Sequence, residues 1–258
     1  MMIFLITTLF IGLLSGFVTF AVLYTTVKNT VDDKGTSAID CTELYRRHVT
    51  TSGVYIICPW NRLDPNFRCV QVYCDMETDG GGWTVIQRRQ SGKVSFERNW
   101  KDYKLGFGDV SRSYWIGNDI IHQLTKEKTS SLYIEITSLN KTNMFIRYDF
   151  FFVNNQNNGY RLNVGGKATG SLEDKIRNAP LSDVINNARF TTFDKDTDRS
   201  PGNCATEHRG GWWFNYCHDV FLNGLYPPGH WHQPWDPPFS NGSYVSSTKM
   251  MTRRKKFL

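Results

Sequence analysis

The six cysteines fall into two groups: Cys41, Cys58, Cys69 and Cys74, then Cys204 and Cys217 far downstream. What such a set can build depends on the compartment, and the start of the chain bears on that. From Met1 to Val27 no side chain is charged, and Ile3 to Tyr24 is almost wholly apolar. A signal-peptide core has about 7–15 apolar residues, a membrane-spanning helix about 20. The stretch is long for the first. Against the second, it carries Gly12, Gly16 and several threonines, and Thr19-Phe20-Ala21 offers a small-x-small cleavage pattern. No basic residue precedes it and Lys28 lies on its far side, so charge sets no orientation. Residues 1–27 are therefore expected to be a signal peptide or a signal anchor, with everything after Lys28 exported. In an oxidising compartment an even number of cysteines reads as three disulfides, with the pairing left open. Zinc is disfavoured, because only Cys69 and Cys74 are close and they lack CxxC spacing.

With 40% hydrophobic and 14% aromatic residues the chain can bury a proper core. The polar stretch 28–37 reads as a linker, and one folded domain is expected over 38–258. The net charge of +6 is scattered along the chain. Its one dense run, Arg253-Arg254-Lys255-Lys256, reads as a solvated tail, and no nucleic-acid motif accompanies it. Mild basicity favours anionic glycans or surfaces at long range.

The first half reads as strands. Candidates are Gly53 to Ile57, Trp83 to Gln87, and Leu132, Ile134 and Ile136 alternating with Tyr133 and Glu135. In a further strand, Met144, Ile146, Tyr148 and Phe150 share one face. A short helix is expected from Asn118 to Leu124, with Asn118 as its cap. Beyond about Phe193, Asp, Asn, Gly, Pro and Trp dominate and periodicity disappears. A loop region this long inside a compact domain is usually functional and needs a staple. Cys204 and Cys217 supply one, stabilising by about 3 kcal/mol in the chain-entropy model.

The run from Val72 to Arg89, VYCDMETDGGGWTVIQRR, resembles the hallmark of fibrinogen-related domains. Further matches follow in that family's order. They are Phe96 to Trp100, Gly106-Phe107-Gly108, Tyr114 to Asn118, Phe190 to Asp198, Asn203-Cys204-Ala205, Gly211-Trp212-Trp213, Cys217-His218 and Leu222 to Tyr226. The resemblance covers roughly Ile39 to Arg253, and in character it leans to ficolin- and tachylectin-type lectins. It implies an α+β fold with a central antiparallel sheet, few short helices and a loop-rich C-terminal calcium and ligand subdomain. It also implies the disulfides Cys41–Cys74, Cys58–Cys69 and Cys204–Cys217. The three glycines Gly80 to Gly82 fit a turn with positive φ between two strands.

The segment Asp194 to Gly202 places oxygen-bearing groups on alternate residues, as hard cations require. It is not an EF-hand: Arg199 stands where glycine is needed and Ala205 where a bidentate Glu is needed. The resemblance assigns Ca2+ to the side chains of Asp196 and Asp198 and the carbonyls of Ser200 and Gly202, with Asp194 in support. In acetyl-binding relatives a pocket lies beside this loop. By position it implies a cis Tyr216–Cys217 bond, with Cys217 and His218 donating backbone N–H groups. Two features depart from that pattern. His208 stands where several relatives place a tyrosine, and the loop after Tyr226 lacks the Tyr-Ala pair that packs on an acetyl methyl. Tyr226, His230, Trp231 and Trp235 remain, either as sugar-stacking rings or as core.

The leading expectation is an extracellular lectin for glycans with N-acetyl or anionic groups, secreted or displayed on a single-pass anchor. The alternative is a module that grips a cell-surface protein, as angiopoietin or tenascin ends do. A hydrolase built on Asp196, Asp198, His208 and His218 is disfavoured, since no Ser-His-Asp order, H-E-x-x-H or nucleophile elbow is present. Oligomerisation is open. Asn140-Lys141-Thr142 and Asn241-Gly242-Ser243 match the glycosylation pattern.

Overall fold

The structure, a computed structural model, describes residues 37–181, 183–226, 235 and 245–255. The N-terminal apolar segment, nearly all of the linker, His230, Trp231, Lys256 and Asn241 lie outside the described residues. No helix among the described residues is long and apolar enough to cross a membrane.

In chain order the elements are α1 (Cys41–Arg46), β1 (Gly53–Ile57), β2 (Val70–Asp75), β3 (Trp83–Arg89), α2 (Trp100–Leu105), β4 (Phe107–Gly108) and β5 (Tyr114–Trp115). Then come α3 (Asn118–Thr125), β6 (Ser130–Ser138), β7 (Asn143–Val153), β8 (Leu162–Gly170), α4 (Lys175–Asn178), α5 (Cys204–Glu207) and β9 (Val245–Arg254). The strands form one antiparallel sheet ordered β1-β2-β3-β9-β6-β7-β8, with β5 on β3 and β4 on β5. The last strand is thus central. Thr84 pairs with Thr252 on one side of β9 and Leu132 pairs with Thr252 on the other, so the C-terminal strand joins two otherwise separate halves.

Short polar side chains start the helices. The Asp40 carboxylate accepts from the Glu43 N–H (2.7 Å), and Glu43 reaches back to the Ile39 N–H (2.9 Å). Asn99 caps α2 through the Asp102 N–H and Asn203 caps α5 through the Thr206 N–H. Asn118, which its position in the sequence predicts to be the cap of α3, does not cap it. Gly117, at φ 109°, occupies that place, and the buried Asn118 amide oxygen accepts from the Trp115 indole N–H (3.0 Å). An internal indole donor competes better for that oxygen than an end group that water can satisfy.

The glycine turn is as expected. Gly80, Gly81 and Gly82 all have positive φ between β2 and β3, and a Cβ on Gly81 would collide with the Met76 carbonyl and the Tyr45 ring. In β7, Ile146 and Tyr148 are buried as the alternation predicts, but Phe150 is not. A register shift between Tyr148 and Phe150 passes the buried face to Phe151 and Val153. One extra residue in a strand reverses every later side chain.

The basic run is also corrected: Arg253 and Arg254 belong to β9 rather than to a solvated tail. Arg253 lies over the Trp83 ring (4.1 Å) and pairs with Asp79, and Arg254 pairs with Asp40. Their stems cover apolar surface while the charges are neutralised nearby.

All three disulfides pair as the resemblance implies, with Cα separations of 5.5, 4.1 and 5.4 Å for Cys41–Cys74, Cys58–Cys69 and Cys204–Cys217. Asn140 stands exposed in the β6–β7 turn, its side-chain oxygen accepting from the Thr142 N–H. Expression in eukaryotic cells is therefore expected to yield glycan at Asn140. Intact mass before and after glycosidase treatment checks this, and an unchanged mass in the peptide 128–147 would rule it out.

Candidate functional site

Residues 190–223 are laid onto the sheet by a cluster of rings and a few buried amides. Phe190 contacts Tyr103 (5.0 Å between centroids), Trp115 (5.8 Å) and Trp213 (5.2 Å, edge to face). The Trp213 indole donates to the Tyr160 carbonyl (2.7 Å). Thr191 and Trp212 exchange backbone hydrogen bonds of 2.8 and 3.1 Å, tying both ends of the region together. The buried Gln87 amide of β3 donates to the Leu222 carbonyl, Asn223 and Thr248, while Asn223 donates to the Gly211 carbonyl. Arg89, 2% exposed, donates to the Gly224 carbonyl, and burial lowers its pKa to about 10. These seams carry the loop region. Their sequence signal lay only in stretches of the resemblance, because polar residues in a strand such as Gln87 and Arg89 read by themselves as solvent-facing.

On that base the acidic loop takes a defined shape. Asp194 accepts from the Thr192 hydroxyl and the Trp100 N–H (both 2.8 Å), so it pins the loop to the start of α2. Asp196 is exposed and accepts from the Asp198 N–H (3.1 Å). Asp198 is half-buried, one oxygen accepting from the Ser200 N–H (2.9 Å) and the other from the Cys204 N–H (3.0 Å). Burial, together with the Asp196 carboxylate, raises the Asp198 pKa above the ordinary value despite the two backbone donors that lower it. Among the described residues nothing donates to the Ser200 or Gly202 carbonyl oxygens. Two carboxylates and two uncommitted carbonyls on one short loop are a donor set suited to a hard cation. Glu207 lies against Gly202, a neighbouring carboxylate that the spacing argument did not single out.

Beyond the loop, His208 and His218 come together, with ring centroids 4.6 Å apart in an edge-to-face arrangement. Phe214 and Phe221 pack against both. Cys217 takes φ 61°, uncommon for a residue with a Cβ, and its carbonyl accepts from the Asn215 N–H (3.2 Å). Glu207, His208 and Cys217 place ligand-type atoms within 4.8 Å of one another. That triangle is not a metal site, since the Cys217 sulfur is bonded to Cys204 and has no thiolate to offer. Tyr216 is 51% exposed. Tyr226 is engaged by the sheet: its hydroxyl donates to the Ser246 carbonyl (3.1 Å) and its ring faces Arg89. Trp235 is fully buried and donates to the Glu173 carbonyl (3.1 Å), so it is core rather than a sugar platform.

A disulfide-stapled antiparallel sheet carrying an acidic loop and a ring cluster defines a binding domain. Residues 37–249 match the family model described as fibrinogen beta and gamma chains, C-terminal globular domain, and the chain belongs to this family of non-enzymatic binding domains. It is 40% identical to human fibroleukin over 237 residues, covering 84% of this chain and 52% of the relative. It is 38% identical to bovine angiopoietin-4 over 224 residues, covering 83% and 42%. The chain spans about half the length of the relatives it matches. Among solved structures, the fibrinogen-like globe domain of human ANGPTL2 superposes with a TM-score of 0.75 at 34% identity, over 85% of this chain and all of that one. The lean towards ficolin-type lectins is thereby corrected: the similarity runs to angiopoietin-type and fibroleukin chains.

Proposed function

We propose that this chain is an extracellular protein-binding module that docks a cell-surface partner through its loop-rich pole, with calcium holding that pole in shape. The observation that carries the reading is the character of the pole. Rigid backbone, tied down by the Cys204–Cys217 bridge and the ring cluster, presents Phe193 (47% exposed) and Tyr216 (51% exposed) to solvent. Large aromatics held at low entropic cost are what protein interfaces use as anchors. The similarity to angiopoietin-type chains supports the same reading, as do the replacement of the acetyl pocket's tyrosine by His208 and the missing Tyr-Ala pair. Three disulfides fit work outside the cell, whether the chain is secreted or anchored. Asp196, Asp198 and the Ser200 and Gly202 carbonyls are the calcium ligands in this proposal. Calcium there cancels the repulsion between the two carboxylates.

The test is binding of the purified full chain to a panel of cultured cells and to a glycan array, with and without chelator. Saturable, protease-sensitive cell binding that N-acetylglucosamine does not compete is the expected result. Array binding that N-acetyl sugars compete, with no protease-sensitive cell binding, would overturn it in favour of the lectin reading.

A further inference from the structure

Beside the calcium loop lies a cleft of about 290 Å³ lined by Arg161, Arg189 and Arg199 together with Asn186, Asn187 and Asn215, and by no carboxylate. Elsewhere many guanidiniums are neutralised: Arg147 and Arg253 by Asp79, Arg254 by Asp40, Arg177 by Asp174 and Arg209 by Glu97. None of the three cleft arginines has a carboxylate partner among the described residues. They also come from three separate segments, each held in place. Arg161 donates to the Asn187 carbonyl. The stem of Arg189 packs on Gly159, where a Cβ would crowd it. The Arg199 N–H donates to the Asn215 carbonyl (2.8 Å). Holding like charges around one space without a counter-charge costs free energy, and an anion in the cleft recovers it.

The rim narrows the choice of anion. The Asn215 side chain donates to the Leu181 carbonyl (3.1 Å), which brings Leu181, 92% exposed, to the edge of the cleft. The exposed Tyr216 follows directly in sequence. Arginine forks beside an exposed leucine and tyrosine suit a carboxylate-bearing peptide with apolar residues better than a uniformly polar sulfated sugar. We infer that this cleft receives an acidic segment of the partner protein, its Asp or Glu carboxylates bridged by Arg161, Arg189 and Arg199 and its apolar side chains set against Leu181 and Tyr216. The inference rests on the protein-binding reading and names the chemistry of the partner.

A fluorescent peptide of alternating glutamate and leucine, its glutamine counterpart and a heparin tetrasaccharide are titrated with the full chain at millimolar calcium. The glutamate peptide is expected to bind about tenfold or more tighter than the glutamine one, and less tightly as salt rises. Arg189→Gln with Arg199→Gln is expected to remove that preference without changing the melting temperature. Arg189→Lys with Arg199→Lys should restore part of it, since lysine keeps the charge without the fork. Equal binding of the two peptides, no effect of the glutamine double variant, or binding of heparin alone would each overturn the inference. Cell binding separates the two proposals. If cells take up parent and double variant alike, the cleft is not the docking surface and the module reading stands. If the peptide preference holds but no cell protein binds, the module reading fails and the cleft chemistry stands.

Discussion

Replacing Trp213 by alanine is expected to destabilise the domain by about 3–5 kcal/mol, the range for removing a large buried aromatic. For a domain of this size that lowers the melting temperature by on the order of 10 °C. Trp213 is fully buried against Trp115, Phe190 and Trp212. Its loss opens a cavity under the acidic loop and leaves the Tyr160 carbonyl without its donor. The damage should be local before it is global, because Phe190 and the Thr191–Trp212 pair lead directly into the loop. Limited proteolysis of Trp213→Ala is therefore expected to cut first between residues 193 and 203. Trp213→Phe keeps most of the packing but not the hydrogen bond, and should fall between parent and Trp213→Ala. A melting temperature equal to the parent's would show that the ring cluster does not hold the loop region.

The two aspartates of the loop are expected to behave differently although both are proposed calcium ligands. Asp196 accepts one hydrogen bond from within the loop, so Asp196→Asn should weaken calcium binding at least tenfold and leave stability in chelator unchanged. Asp198 accepts from two separate backbone donors, one on each oxygen. An asparagine there can accept with only one side, so Asp198→Asn should lose about 1–2 kcal/mol even without calcium. The double variant should bind no calcium. Parent affinity is expected on the order of 10⁻⁴–10⁻³ M, in the range of extracellular modules, with about 1 kcal/mol of stabilisation at millimolar calcium. Titration calorimetry and thermal melts with and without chelator measure both effects. Parent-like calcium binding by the double variant would place the site elsewhere, and equal stabilities of the two single variants in chelator would contradict the distinction drawn here.

Local chemistry made much of this legible in the sequence. A run of three glycines allows positive φ wherever it stands, and Gly53 to Ile57 forms a strand with the bounds its composition indicates. The isolated pair Cys204 and Cys217 was legible as a staple of the loop region, but the pairing of Cys41, Cys58, Cys69 and Cys74 came only through the resemblance. Where local rules failed, packing or register had intervened. Asn118 has a cap's composition, yet an indole three residues away claims its oxygen inside the core. Phe150 has the right alternation, yet a bulge turns the face over before it. Arg253 and Arg254 look like a solvated tail, and only the central place of β9 sets them against Asp79, Asp40 and Trp83.

The sequence by itself determined the segments of β1, β3, β6 and β7, the glycine turn and the oxygen-rich loop, because each depends on residues within a few positions of one another. It did not determine β9, which lies in the stretch beyond Phe193 where no periodicity is read. Tertiary structure alone decided that Trp235 is core, that Gln87 and Arg89 carry the loop region, and that Arg161, Arg189 and Arg199 share one cleft. Those three arginines are separated by intervals that no period describes. Their electrostatic field exists only once the residue leading into β8, the segment at 185–190 and the acidic loop have been folded against one another, since charge acts through space and not along the chain.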